Sequence, residues 1–144
     1  MARLELSGLD AINDMLSNLS EIPGEVRTNA LNAMAQAAES SVRRTGEAMG
    51  VRDPESQVHI LDKITHSKPK QTAAGGYSDV TFSGTRTRGR GKKTRNAEIA
   101  FINEYGKRNQ PARPFIATAA EQYADAIAAA GEKVLGDWFE QNTK

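Results

Sequence analysis

Residues 23–50, PGEVRTNALNAMAQAAESSVRRTGEAMG, decide the fold. Pro23 suits a first helical turn, where its missing N–H is no loss. Beyond it, Val26, Ala30, Ala33, Met34, Ala37, Ser41 and Val42 recur at steps of three and four, the period of one helix face. Alanine favours the helix, and a face of small side chains lets whatever packs there come close. Gly46 and Gly50 weaken the far end, and Gly50 suits a cap.

Working outward toward the N-terminus, residues 2–7 alternate apolar and polar, which suits a short half-buried strand or an extended lead-in. Ser7 or Asp10 suits the cap of a short helix whose face is Leu9, Ile12, Leu16 and Leu19. On the other side, residues 51–56 read as a turn around Asp53-Pro54. VHILDKITHS then predicts a strand, or a helical turn passing into one, with Val58, Ile60 and Ile64 as buried candidates. Gly75-Gly76 precedes a second β segment, YSDVTFSG, and residues 97–105 alternate like a third. A final helix is expected from Pro114 or Phe115 to Gln141, with Phe115, Ala119, Tyr123, Ile127, Ala130, Val134 and Trp138 on one side. Trp138, the single tryptophan, is the expected anchor of that helix. Together these elements predict an α+β fold: a small antiparallel sheet of three to four strands packed against the long Ala-rich helix and a long C-terminal helix.

At 144 residues, the chain is expected to form a single domain over 1–144. The formal net charge of +1 hides segregation. Residues 1–62 sum to −5, residues 63–118 to +9 and residues 119–144 to −3. The total counts against a generically basic DNA-coating protein, and the pattern suits a subunit with a basic arm and acidic surfaces for it to meet. There is no cysteine, which excludes disulfides, thiolate zinc sites and cysteine nucleophiles and fits a reducing compartment. No stretch reaches the roughly 20 apolar residues of a membrane span. MARLELSGLDAIND carries no apolar signal core, so a cytoplasmic protein is expected.

Catalytic patterns are sparse. His59 and His66 are an odd spacing apart in a predicted strand, which puts them on opposite faces rather than around one metal. Glu98 and Glu104 fall on one face of the third β segment and read as surface carboxylates. There is no H-E-x-x-H, G-x-S-x-G or Walker-type loop. The chain is therefore read as a non-enzyme without cofactor, metal or small-molecule substrate. The strongest local feature is GTRTRGRGKKTRN, residues 84–96, with Arg86, Arg88, Arg90, Lys92, Lys93 and Arg95 and no acid. Without large apolar side chains to offset ordering entropy, it is expected to be a flexible basic loop. Three readings stay open: contact with an acidic protein surface, neutralisation of nucleic-acid phosphates, or a solvated loop. Aromatic side chains for stacking on bases are missing from it.

Residues 97–119, AEIAFINEYGKRNQPARPFIATA, combine a predicted strand ending in Glu104-Tyr105-Gly106, a short polar loop, and Pro111-Ala112-Arg113-Pro114-Phe115 opening the last helix. This pattern resembles the head–tail connector family of tailed bacteriophages, which are small neck or tail-completion proteins. Upstream, Leu61-Asp62-Lys63-Ile64 is similar to that family's Leu-x-x-Ile step into the sheet. The resemblance implies a structural virion protein that joins head to tail, or completes the tail end, as a ring subunit. It implies partners in other copies of itself and in other neck or tail proteins, contact with passing DNA, and assembly in the host cytoplasm. The residues also make local sense. Gly106 suits a positive φ. Pro111 and Pro114 stiffen the backbone around Arg113 and aim its guanidinium, with Glu104 as candidate partner within the chain or across a subunit boundary. Phe115 pins the helix start. The motif either sets this corner alone or also places Arg113 in an intersubunit contact.

Overall fold

The computed structural model describes residues 2–5, 22–52, 59–72, 75–88 and 91–142. The helix expected over Leu9, Ile12, Leu16 and Leu19, the turn around Asp53-Pro54, Val58 and Arg90 lie outside the described residues.

The Ala-rich stretch forms α1, Gly24–Ala48. Its end is closed as the glycine implies. Gly50 has φ +74, its N–H donates to the Glu47 carbonyl at 3.2 Å, and Val51 N–H donates to the Gly46 carbonyl at 2.9 Å. That pair of bonds satisfies carbonyls a helix end otherwise leaves open, and the buried Val51 completes the cap. The buried surface of α1 is broader than one stripe: Ala30, Leu31, Met34, Ala35, Ala38, Ser41, Val42, Thr45 and Gly46. The helix is covered from two directions, by the sheet and by the C-terminal helices.

VHILDKITHS resolves into a 3-10 turn at Ile60–Lys63 followed by β2, Ile64–His66. With β1 (Ala2–Glu5), β3 (Lys70–Thr72) and β4 (Gly75–Phe82) it builds an antiparallel sheet centred on β4. β1 lies along one edge of β4, with Ala2 opposite Val80, while β2 and β3 follow one another along the other. Ile64 faces Phe82 and Lys70 faces Tyr77, so the register slips by one residue between β2 and β3. Such a slip is a bulge. It falls where Pro69 has no N–H to give the ladder. Along β4, Ser78, Val80 and Phe82 are buried and their neighbours are not, the alternation of a sheet with one covered face. The architecture is α+β, as expected. The core joins Leu61, Ile64, Val80 and Phe82 to Met34 and Val42 of α1 and to Ile99, Phe115, Ala119 and Ile127. Phe115 is 0% exposed and meets Phe82 edge-to-face at 6.0 Å, a favoured aromatic geometry.

Three expectations are corrected. Residues 97–105 are not a strand but lie within α2, Asn96–Tyr105. Its buried positions, Asn96, Ile99, Ala100, Asn103 and Glu104, follow the helical period. Three of them are polar, so the apolar residues between them mimic alternation. The single C-terminal helix is two: α3, Phe115–Gln122, and α4, Ala124–Asn142, joined through Tyr123 at φ −113°. The bend lets both pieces lie against α1. Trp138 is half-buried against the Phe139 ring rather than in the core. It lies two turns beyond Gly131, the position that α4 buries against Met34.

The basic stretch is the fourth difference. β5 (Thr85–Arg88) and β6 (Lys92–Arg95) pair as an antiparallel ribbon, with Thr85 opposite Arg95 and Arg88 opposite Lys92. A backbone ladder needs no apolar side chains, and Thr85, Thr87 and Thr94 supply β-branched residues that suit it. Its base is fastened by Asn96, whose N–H donates to the Gly84 carbonyl at 3.0 Å and whose Nδ2 donates to the Ser83 carbonyl at 2.7 Å. No helix among the described residues is long and apolar enough to cross a membrane.

Candidate interaction site

The motif residues of 104–115 form one corner between α2 and α3. α2 ends at Gly106, with φ +78 and ψ 177, a region open almost only to glycine. A Cβ there would lie 2.8 Å from Ala112 N and 2.9 Å from the Gln110 carbonyl, because the chain doubles back immediately. Lys107 and Gln110 exchange N–H···O bonds of 2.9 and 3.0 Å, and Arg113 N–H donates to the Asn103 carbonyl at 2.6 Å. Pro111 and Pro114 bracket Arg113, and Phe115 starts α3 inside the core.

Pro114, at the N-cap of α3, has no side-chain oxygen to receive the first N–H groups. Glu104 does this from the preceding helix. Its Oε2 accepts from Ile116 N at 2.8 Å and its Oε1 from Ala117 N at 3.0 Å. Glu104 as a whole is only 7% exposed, and its carboxylate sits at the positive end of the helix. Of the two alternatives for Glu104, the structure does not form the one in which it partners Arg113 within the chain. The Arg113 Nη1 instead donates to the Gly50 carbonyl at 2.6 Å, tying the corner to the end of α1. Glu98, expected to share a face with Glu104, is exposed and pairs with Arg95 at 3.1 Å.

Two surfaces open from this corner. On one side Phe101 and Tyr105, 61% and 69% exposed, hold their rings 4.7 Å apart. They rim a groove of ≈ 370 Å³ walled mainly by small apolar side chains of α1, α2 and α3. Phe101 falls in the stretch that the alternation predicts to be a strand. Its i,i+4 spacing to Tyr105 was the available sign of a shared helix face. On the other side is a polar cavity of ≈ 420 Å³ lined by Arg52, His59, Arg86, Asn103, Gln110 and Arg113 above Val51, Ile60 and Ile99. Arg52 donates to Glu47 Oε1 at 2.9 Å and to Asp62 Oδ1 at 3.0 Å. These bonds hold the Asp62 carboxyl below the usual carboxylate range and raise the Arg52 guanidinium.

The histidines are separate, but not as opposite faces of one strand: His59 precedes the 3-10 turn and His66 ends β2. His59 lines the polar cavity, while His66 Nδ1 lies 2.5 Å from Glu39 Oε1 across the β2–α1 interface. No group of three His, Cys, Asp or Glu among the described residues is placed to hold a metal. Of the basic stretch, Arg86 turns toward the polar cavity, and Lys92, Lys93 and Arg95 are exposed. Acids are exposed on the opposite elements: Glu121 on α3, and Asp125, Glu132, Asp137 and Glu140 on α4. The described residues thus form an α+β body whose exposed chemistry includes a cationic ribbon, an aromatic pair and helices rich in acids, one of which, Asp137, pairs with Lys133 at 3.6 Å. Comparison with family models, curated proteins and solved structures finds no match to this chain.

Proposed function

We propose that the chain is a structural subunit of the phage neck, joining head to tail or completing the tail end as one member of a ring. The observation that carries this reading is the separation of exposed charge onto different elements. A ribbon with Lys92 and Lys93 exposed, and Arg95 paired with Glu98 at its base, stands on α2, while the acids of α3 and α4 lie on helices packed against α1. A two-stranded ribbon is marginal alone, and this one gathers positive charge that an acidic neighbour would offset. In a ring, one copy's ribbon would meet the next copy's α3–α4 face. The Phe101–Tyr105 pair adds the kind of exposed aromatic surface that anchors interfaces. The resemblance of Glu104-Tyr105-Gly106, which ends a helix here and not the strand that the resemblance implied, and of Pro111–Phe115 supplies the neck and tail context, with other neck proteins as further partners. The test is joint neutralisation of Arg86, Arg88, Arg90, Lys92, Lys93 and Arg95, followed by particle assembly. Loss of head–tail joining is expected, and normal assembly refutes the proposal.

A second reading has its own observation: a two-stranded basic ribbon has the dimensions of an element that enters a DNA major groove. A salt titration separates the two. A nucleic-acid-binding domain shows duplex affinity that falls steeply with salt, and absence of binding at low salt removes this alternative.

A further inference from the structure

The buried side of α2 carries Asn96, Ile99, Ala100, Asn103 and Glu104. Its exposed positions are Glu98, Phe101 and Tyr105, which share one stripe at i, i+3 and i+7. Phe101 and Tyr105 are the large hydrophobic side chains exposed among the described residues. A single exposed apolar residue needs no explanation. Two rings in contact on one stripe, at the lip of an apolar groove, form a patch. The groove walls beside them include Ala97, Ala100, Ala117 and Ala120, short side chains that leave room for a ring. No lysine or arginine is among its lining residues. Ser41 and Glu104, which reach it, are already bonded: Ser41 Oγ donates to the Ala37 carbonyl at 2.7 Å, and the Glu104 carboxylate accepts from Ile116 and Ala117. The groove therefore suits an apolar ring rather than a polar ligand, and the adjoining stripe carries such rings.

We propose that two copies of this chain pair through α2 about a two-fold axis, each seating its Phe101 and Tyr105 rings in the other's groove. A two-fold contact needs knob and hole on one patch, and here rings and groove share a helix. The axis makes the two α2 helices antiparallel. With each Tyr105 over the partner's Ala100, Glu98 comes to the far end of the partner helix, where Lys107 and Arg108 are exposed. The Arg95 pair uses only Oε1 of Glu98, so Oε2 is left to face that end. Opposite charges thus meet at both ends of the contact, which fixes its register. The size fits a weak, specific dimer. Each ring residue has roughly 130 Å² left to bury, and with the walls they meet the contact removes about 1,000 Å², the lower edge of specific interfaces. This contact is separate from the meeting of ribbon and α3–α4 face in a ring, and does not depend on the neck assignment.

Sedimentation of the full chain over a range of concentrations tests the pairing. A monomer–dimer equilibrium is expected. Phe101→Ala and Tyr105→Ala together should raise the dimer dissociation constant about tenfold or more, with circular dichroism showing that the variant is folded. Lys68→Glu, on an exposed position remote from α2 in the sequence, should leave it unchanged. The charges give a second arm that does not touch the groove. Glu98→Lys alone, and Lys107→Glu with Arg108→Glu alone, should each weaken self-association. Mixing these two variants should restore it, because across a two-fold axis both charge contacts of the mixed dimer are again opposite. A chain that stays monomeric, a dimer that survives loss of both rings, or charge variants that do not recover on mixing overturns the proposal. So does a dimer lost on Lys68→Glu, which would show association through general charge rather than through α2. None of these outcomes bears on the neck reading, which particle assembly tests by itself.

Discussion

Glu104→Ala removes the side-chain cap of α3. In the folded chain its carboxylate receives two backbone N–H groups, at 2.8 and 3.0 Å, and the residue is 7% exposed. Hydrogen bonds to a charged group are each worth about 1.5–3 kcal/mol net. Ordinary cap losses run about 1–2 kcal/mol. Two bonds in a buried position therefore predict a loss of about 3–4 kcal/mol, part of it the cost of leaving Ile116 and Ala117 N–H unpaired. Glu104→Gln keeps the shape and one acceptor oxygen but turns an NH₂ toward the other N–H, and should cost about 2 kcal/mol. With a urea slope of about 2 kcal/mol/M, the midpoint falls by about 1.5–2 M for Ala and about 1 M for Gln. Urea unfolding followed by circular dichroism at pH 7 reads both, with the slope unchanged. Glu98→Ala is the matched control. Its pair with Arg95 is exposed, so its loss should stay below about 0.5 kcal/mol. If Glu104→Ala behaves like Glu98→Ala, the helix start does not depend on the carboxylate and the reasoning fails.

Gly106→Ala should cost about 3 kcal/mol or more in the same assay, from strained φ and ψ added to backbone contacts under 3 Å that no rotamer relieves. Gly50→Ala shares the positive φ but has open space around the new Cβ, so about 1–2 kcal/mol is expected there. The double variant Phe101→Ala, Tyr105→Ala should lose about 1 kcal/mol or less in the urea assay while abolishing incorporation into particles, as measured by fractionation. Asp62→Asn should flatten the acid limb of stability. Because Arg52 lowers the folded-state pKa of Asp62, the stabilisation is complete above the unfolded value of about 3.9. It is lost as pH falls through the lower folded value. The drop in urea midpoint between neutral pH and pH below about 3 should therefore be smaller in the variant than in the parent chain.

The parts of the fold that are legible in the sequence are those where one physical signal acts alone. The alanines between Pro23 and Gly50 specify α1, and Tyr77, Val80 and Phe82 mark a β segment, of which Val80 and Phe82 face the core. Residues 97–105 fail because two signals compete. Asn103 and Glu104 occupy inward positions for hydrogen-bonding reasons, and a hydrophobicity pattern is blind to that. The ribbon at 85–95 is hidden for a related cause, since its ladder is backbone and its side chains are almost all charged or Thr. At the site, the pattern singles out Glu104, Gly106 and Arg113. The acceptors that give them their roles come from distant segments: the N–H groups of residues 116 and 117 for Glu104, and the carbonyl of Gly50 for Arg113. Spacing along the chain carries no information about such partners.

The central position of β4 also dictates an order of events during folding. Its pairing with β2 and β3 is local, since Thr72 meets Gly75 and Ile64 meets Phe82. Its pairing with β1 joins Ala2 to Val80. The second loop is longer by roughly two doublings, which adds about 1.2 kcal/mol of closure entropy. β4 is therefore expected to zip onto β3 and β2 before β1 docks. During synthesis, β1 leaves the ribosome long before the strand it needs exists. Until residue 80 has emerged, its backbone groups have no ladder, and the edge of β4 that it will cover is the last part of the sheet to be protected from exchange with water.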